Sequence, residues 1–293
     1  MALHLHQMRK HPSRLTERRL TIGTLLGTFK GPIAGTWLLT LCETTLMALV
    51  PLFIGFAIDG LMGQDTSGLL NLAALLGAIL VVAVGRRTYD TRAYGTIRIE
   101  LGRALAAKAG PDAVSTTNAR LGMGRELVDF LEEQVPALLS SFVKLAVALA
   151  LLYAFHPILF AAAAAAGFMV LLIYSVFHRR FFRLNADLNR QTEKQVSILD
   201  TNSSSKVLAH LVRLRRTEVK ISDTEALVYG LIFVILLSLV LFNLWFAATT
   251  IEITAGRVFA IISYSWEFVE AAIALPATLQ GWARLSEIMQ RIN

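Results

Sequence analysis

Ser263, Glu267 and Glu270 stand at i, i+4 and i+7, so on a helix they share one face. They lie inside a mostly apolar stretch, Arg257 to about Arg291, which reads through Val258 and Pro276 to Leu285. Tyr264, Phe268, Ala271 and Leu275 fall on a neighbouring face. About twenty apolar residues suffice to cross a bilayer as a helix. A carboxylate at bilayer depth costs roughly 2.5–3.5 kcal/mol on insertion scales, so two on one stripe are expected to face other helices or a wet cavity. There they would attract a cationic or metal-bearing solute, or carry protons. As i, i+3 neighbours they are expected to share a proton and titrate in two steps.

Two more ionisable side chains sit inside apolar stretches. Glu43 shares a face with Thr36, Thr40 and Met47, and Lys144 shares one with Ala137, Ser141 and Ala148. Their similar depths allow a Glu43–Lys144 ion pair, either as a buried pair that fixes helix register or as part of a substrate or gating site. Asn243 could add polar contacts and Trp266 aromatic ones, although Trp266 reads rather as packing or lipid contact. No basic partner for Glu267 or Glu270 is evident at their depth. Nothing resembles a Ser/His/Asp or Cys/His arrangement, and no span carries metal-ligand spacing, so no enzyme, cofactor or metal site is expected. Three histidines near the start, His4, His6 and His11, read as ordinary tail residues.

The elements that must position these groups are apolar. Of 293 residues 55% are hydrophobic and 17% charged, against about 25% charged in soluble domains. That points to a membrane protein with room for one membrane domain. One cysteine, Cys42, excludes a disulfide framework. Residues 1–30 form a basic tail with no signal-peptide pattern, and Leu20 to Phe29 suggests a short helix along the membrane surface. Residues 31–293 form a domain of six spans, near Ile33–Ile58, Leu69–Val84, Ala137–Phe155, Ile158–Phe177, Leu227–Thr249 and from Val258. The turn at His156-Pro157 makes spans three and four antiparallel neighbours.

Lys and Arg are distributed unevenly. The N-terminal tail, residues 86–143, residues 178–226 and the segment after Pro276 hold 26 of the 28, and the other three connections hold only Arg257. By the positive-inside rule both termini are cytoplasmic. The basic residues Arg86, Arg87, Arg92, Arg98, Arg179, Arg180, Arg183, Arg213, Arg215 and Arg216 read as topology signals and lipid-headgroup contacts rather than a nucleic-acid surface. Asp90, at i+4, is placed to pair with Arg86. Helical periodicity continues past the apolar stretches, so spans two to five should extend well beyond the bilayer. Each pair should meet at a break, Gly110-Pro111 to Gly124 in one and Asp200 to Ser205 in the other. Ala161–Ala166 should allow two helices to approach closely.

This pattern of spans and paired helical extensions resembles the membrane domain of ATP-binding-cassette exporters. Pro51-Leu-Phe-Ile-Gly-Phe-Ala-Ile-Asp-Gly-Leu61 is similar to the end of that family's first span, where an Ile-Asp and small residues close the helix outside. Gly256-Arg-Val-Phe-Ala-Ile-Ile-Ser-Tyr264 is similar to the start of its sixth, and Arg284 to Ile292 to the exit helix leading to the ATPase domain. The chain contains no Gly-x-x-x-x-Gly-Lys-Ser/Thr and no Gly-Lys pair, so a phosphate cradle is not expected in it. Arg120 to Glu133 departs from the Thr-Gly-Glu-Leu more usual in exporters. The resemblance implies an all-α, exporter-like six-span domain of a stand-alone subfamily, in an inner membrane. It implies a homodimer around a cavity for a small or cationic solute, working with a separate ATPase subunit or a gradient. The other class of function is a non-transporting scaffold or regulatory subunit.

Overall fold

The computed structural model describes residues 22–108, 114–200, 203–250 and 254–292, with side chains in the last helix as far as residue 274. Among the described residues every regular element is a helix: α1 Ile22–Thr28, α2 Lys30–Ala48, α3 Val50–Met62, α4 Ser67–Lys108, α5 Val114–Asp129, a π-helical turn Phe130–Gln134, α6 Val135–Phe155, α7 Pro157–Leu199, α8 Ser204–Thr250 and α9 Ala255–Ile292. Among the described residues five stretches are long and apolar enough to cross a membrane: Lys30–Met62, Ser67–Ala106, Gly124–Phe155, Pro157–Leu199 and Ser204–Thr249. The further span expected from Val258 lies on α9, and its portion beyond residue 274 falls outside the described side chains. So do the tail histidines and the segment Arg284–Ile292. The chain divides into two compact units, Met1–Ala148 with Ile253–Asn293, and Leu149–Glu252.

In the first unit burial is inverted relative to a soluble protein. The buried stripe of α2 is Ile33, Thr36, Thr40, Glu43, Thr44 and Ala48, spaced by threes and fours. Leu38, Met47, Phe56 and Val81 are exposed instead. Threonines can line such an interior because their hydroxyls return to the backbone, Thr36 to the Ile33 carbonyl at 2.8 Å and Thr40 to the Thr36 carbonyl at 2.9 Å.

Two prolines interrupt the helices of this unit. Pro51 has no N–H and its ring crowds the carbonyl one turn back, so the helix ends at Ala48 and resumes at Val50. Across the break Leu49 N–H donates to the Leu46 carbonyl at 3.2 Å, a tightened turn. Pro136 follows the π-helical turn, where Val135 N–H reaches back five residues to the Phe130 carbonyl. The end of α3 is closed by a Schellman motif. Asp65 N–H donates to the Gly60 carbonyl at 2.8 Å and Gln64 takes the left-handed conformation, φ 61°. The Ser67 hydroxyl and amide then bond the Asp65 carboxylate, holding its pKa below the ordinary value.

The 42 residues of α4 make a rod of about 63 Å, roughly twice the hydrocarbon thickness of a bilayer. Its far half packs with α1, α2 and α5 around Leu25, Ile33, Tyr94, Ile97, Leu101, Leu127 and Leu131. The short helix expected within Leu20 to Phe29 forms as α1 and is held by Leu25, which is fully buried and contributes about 1.5–3 kcal/mol. A seven-residue helix would not persist alone. The break expected to reach Gly124 is shorter, since α5 starts at Val114. Gly124 lies against Leu101 and Leu105, and this packing overrides glycine's low helix propensity.

The second unit is an antiparallel hairpin of α7 and α8, with 43 and 47 residues. His156 starts it: its Nδ1 accepts the Ile158 amide at 3.2 Å, and Pro157 occupies the first turn, where no N–H is needed. The His156 ring packs 5.0 Å from Phe246. Leu159, Ala163, Ala166 and Val170 of α7 and Val228, Ile232, Leu236 and Leu239 of α8 are buried, so the alanine run does serve close helix packing. The helices turn between Leu199 and Ser204, where the sequence places a break.

Candidate functional site

The buried polar stripe of α2 is answered by polar side chains from three other helices of the first unit. Arg86 on α4 donates through Nε to Glu43 Oε2 and through Nη1 to Asp90 Oδ2 at 3.1 Å. The two carboxylate side chains are 12% and 14% exposed, so this three-residue cluster is largely out of water. The expected Arg86–Asp90 pair is present. The expected Glu43–Lys144 pair is not: Glu43 takes Arg86, whose long side chain reaches inward from the second span. One turn further along α4, Tyr94 donates to the Leu131 carbonyl at 2.8 Å and meets the Thr36 hydroxyl at 3.2 Å. Leu131 belongs to the π-helical turn, so the tyrosine accepts the task of satisfying a carbonyl at an irregular place in the helix. Arg98 then ties α4 to that turn through Asp129 at 2.6 Å and Glu132 at 2.5 Å.

On the other side of α2, Thr44 and Ser140 of α6 share a hydrogen bond at 2.9 Å. Lys144 lies one turn beyond Ser140 on α6 and is close enough to Glu267 of α9 for their charges to interact. Lys144 is thus a basic group near Glu267 that the sequence did not reveal. Glu267 Oε2 is buried and has no hydrogen-bond partner among the described residues. Glu270 is exposed and near enough to repel Glu267, while Ser263 is half-buried. No hydrogen bond joins Glu267 to Glu270 among the described residues. Tyr264, Phe268 and Ala271 form the buried face of α9, as their spacing predicts, and Trp266 is exposed. Asn243 belongs to the second unit, where it is fully buried on α8.

Two stretches far apart in sequence meet at the start of α9. Asp59 near the end of α3 accepts the Gly256 amide at 2.8 Å and the Thr254 hydroxyl at 2.5 Å, capping the helix with a charge suited to its N-terminus. Gly55 and Gly256 permit this approach; a Cβ on Gly55 would stand 2.6 Å from the Gly256 carbonyl oxygen. Deeper in, the Tyr264 hydroxyl accepts the Leu52 amide at 3.2 Å and donates to the Ala48 carbonyl at 3.0 Å. Sequence reasoning placed Tyr264 only on a packing face. The available signal was Pro51, whose break leaves backbone groups for a hydroxyl to satisfy.

In the second unit an open surface concavity of about 670 Å³ lies along one face of α7, beside the exposed His178, Arg179, Phe182 and Arg183. Among the described residues no three His, Cys, Asp or Glu side chains converge as metal ligands. Glu43, Asp90 and Glu267 are carboxylates largely inside the first unit, with Arg86 and Lys144 near them, while Glu270 is exposed. Such polar groups can hold a cation or hydrogen-bond a polar solute.

No curated protein matches the chain. The profile of the ABC transporter transmembrane region matches residues 23–256, which include the α2–α4 polar cluster, the α7–α8 hairpin and the Asp59 clamp as far as Gly256. With most of its length inside that match and its helices long and apolar enough to span a bilayer, this chain belongs to the family of ABC transporter transmembrane regions.

Proposed function

We propose that the chain is the membrane half of a transporter, moving a small cationic solute through a cavity formed by two copies. The supporting observation is the polar interior of the first unit, above all Glu267, whose buried Oε2 has no hydrogen-bond partner among the described residues although the charge of Lys144 reaches it. An unpartnered carboxylate oxygen at bilayer depth is expensive to keep, and binding a solute would account for it. In this reading α9 is the sixth span, both termini are cytoplasmic, and the far ends of α4, α5, α7 and α8 project into the cytoplasm from an inner membrane. The positive charges group accordingly. Glu270 and the exposed apolar residues Leu171, Leu241 and Trp266 face lipid, the partner copy or the cavity between copies. In this reading the energy for transport comes from a separate ATPase subunit or from a gradient.

Reconstitution in vesicles tests this. The protein should run as a dimer by native mass measurement, and uptake of radiolabelled organic cations should fall at least tenfold in Glu267→Gln with assembly unchanged. Monomers only, or uptake equal in wild type and variant, would overturn the transport reading. Insensitivity at Glu267 together with loss of partner binding on changing the α7–α8 turn would favour a scaffold.

A further inference from the structure

Tyr264 occupies an unusual place. Ala48 and Leu52 are i and i+4, the pair that bond each other directly in an unbroken helix. Here the tyrosine hydroxyl stands between them, accepting from the Leu52 amide at 3.2 Å and donating to the Ala48 carbonyl at 3.0 Å. The ring that carries it is fully buried, and it comes from a residue 212 positions away from Leu52. A side chain inserted into the backbone ladder is a recognised cause of a helix kink, and a proline beside it is another.

We propose that Tyr264 is a removable spacer: its hydroxyl holds the α2–α3 break open, and its withdrawal lets Ala48 and Leu52 bond each other, so that the bend in α2–α3 and the seating of α9 change together. Both states satisfy the backbone. With the hydroxyl inserted, amide and carbonyl bond through it; with it withdrawn, they bond each other and the hydroxyl finds another partner. Neither arrangement leaves a buried backbone group unpaired, which is the condition for two conformations of similar free energy. Pro51 supports the exchange, because its missing N–H and crowding ring already prevent a regular turn. The Asp59 clamp supplies a fixed point, holding the α3 end to the start of α9 while the bend changes below it. Glu267 lies three residues beyond Tyr264 on α9, so a shift of the tyrosine also re-aims that carboxylate. The inference concerns the chain's own movement and holds whatever solute the protein carries.

The 13 residues of α3 form an arm of about 20 Å, so each 20° of bend moves its end by about 7 Å. Spin labels report this when placed at Leu38 on α2, Met62 at the end of α3 and Ile99 on α4, all exposed, in a Cys42→Ser background. Distances Leu38–Met62 and Ile99–Met62 are measured by double electron–electron resonance in Tyr264→Phe, Pro51→Ala, the double variant and the labelled parent. Tyr264→Phe should shift or split at least one distribution by 2 Å or more. Pro51→Ala, which restores the N–H and removes the ring, should shift it the same way, and the double variant should go no further. Unchanged distributions in Tyr264→Phe, opposite shifts, or independent addition in the double variant would each overturn the proposal. Should Tyr264→Phe fail to assemble, Tyr264→Met takes its place, since it also lacks the hydroxyl and still fills the site; parent-like distances in it refute the spacer.

Discussion

Arg86→Gln is expected to be among the most destabilising single changes in the first unit. Arg86 is the counter-charge for two carboxylates at once, Glu43 and Asp90, whose side chains are 12% and 14% exposed. Its removal leaves both acids largely desolvated and without a bonded cation, only the charge of Arg87 still reaching Asp90. Breaking a buried pair by deleting one partner costs about 3–5 kcal/mol. Arg86 is itself 30% exposed, so water reaches the site in part, and a loss of about 2–4 kcal/mol is the reasonable expectation. Glu43→Gln should cost less, about 1–2 kcal/mol, because Arg86 keeps Asp90 and an amide still offers an oxygen. In the double variant Glu43→Gln/Arg86→Gln one of the two stranded charges is gone, and two amides can bond each other. It should therefore be more stable than the sum of the single losses predicts, with a coupling of about 1 kcal/mol or more. Reversible unfolding in mixed micelles, followed by tryptophan fluorescence, gives all four corners of the cycle. An Arg86→Gln variant within about 0.5 kcal/mol of the parent, typical of a surface position, would refute the reasoning. So would strict additivity in the double variant.

Two further outcomes follow from the junction of α3 and α9. Asp59→Ala should cost about 1 kcal/mol and speed proteolysis near residue 254, since the Gly256 amide and Thr254 hydroxyl lose their acceptor; Asp59→Asn should restore part of the loss. Gly55→Ala should cost about 1–3 kcal/mol in the same unfolding assay, because its Cβ would stand 2.6 Å from the Gly256 carbonyl oxygen and the two backbones must separate.

Periodicity and interruption explain what the sequence made legible. Apolar runs located the spanning helices, and the helical alternation continuing past Val84 correctly announced that α4 would run on to Lys108. His156-Pro157 marked the α7 start because histidine can cap and proline fits the first turn. The inventory of intramembrane polar groups was also readable, residue by residue. Their pairing was not. Glu43 and Lys144 matched in depth, yet depth says nothing of how each helix is rotated about its axis. Arginine's reach let Arg86, counted as a marker of topology, take the carboxylate instead. Lys144 instead lies within charge range of Glu267, a proximity that needs α6 and α9 in place. The tyrosines make the same argument more sharply. Near Pro51 a hydroxyl from α9 bonds the Ala48 carbonyl, and near Pro136 a hydroxyl from α4 bonds the Leu131 carbonyl. Each proline announces in sequence that a backbone group will need a partner. Only the packing of distant helices says that a tyrosine supplies it. In an interior where every orphaned carbonyl is costly, the interruptions of the helices therefore tell more about which distant side chains must meet the backbone than the charges do.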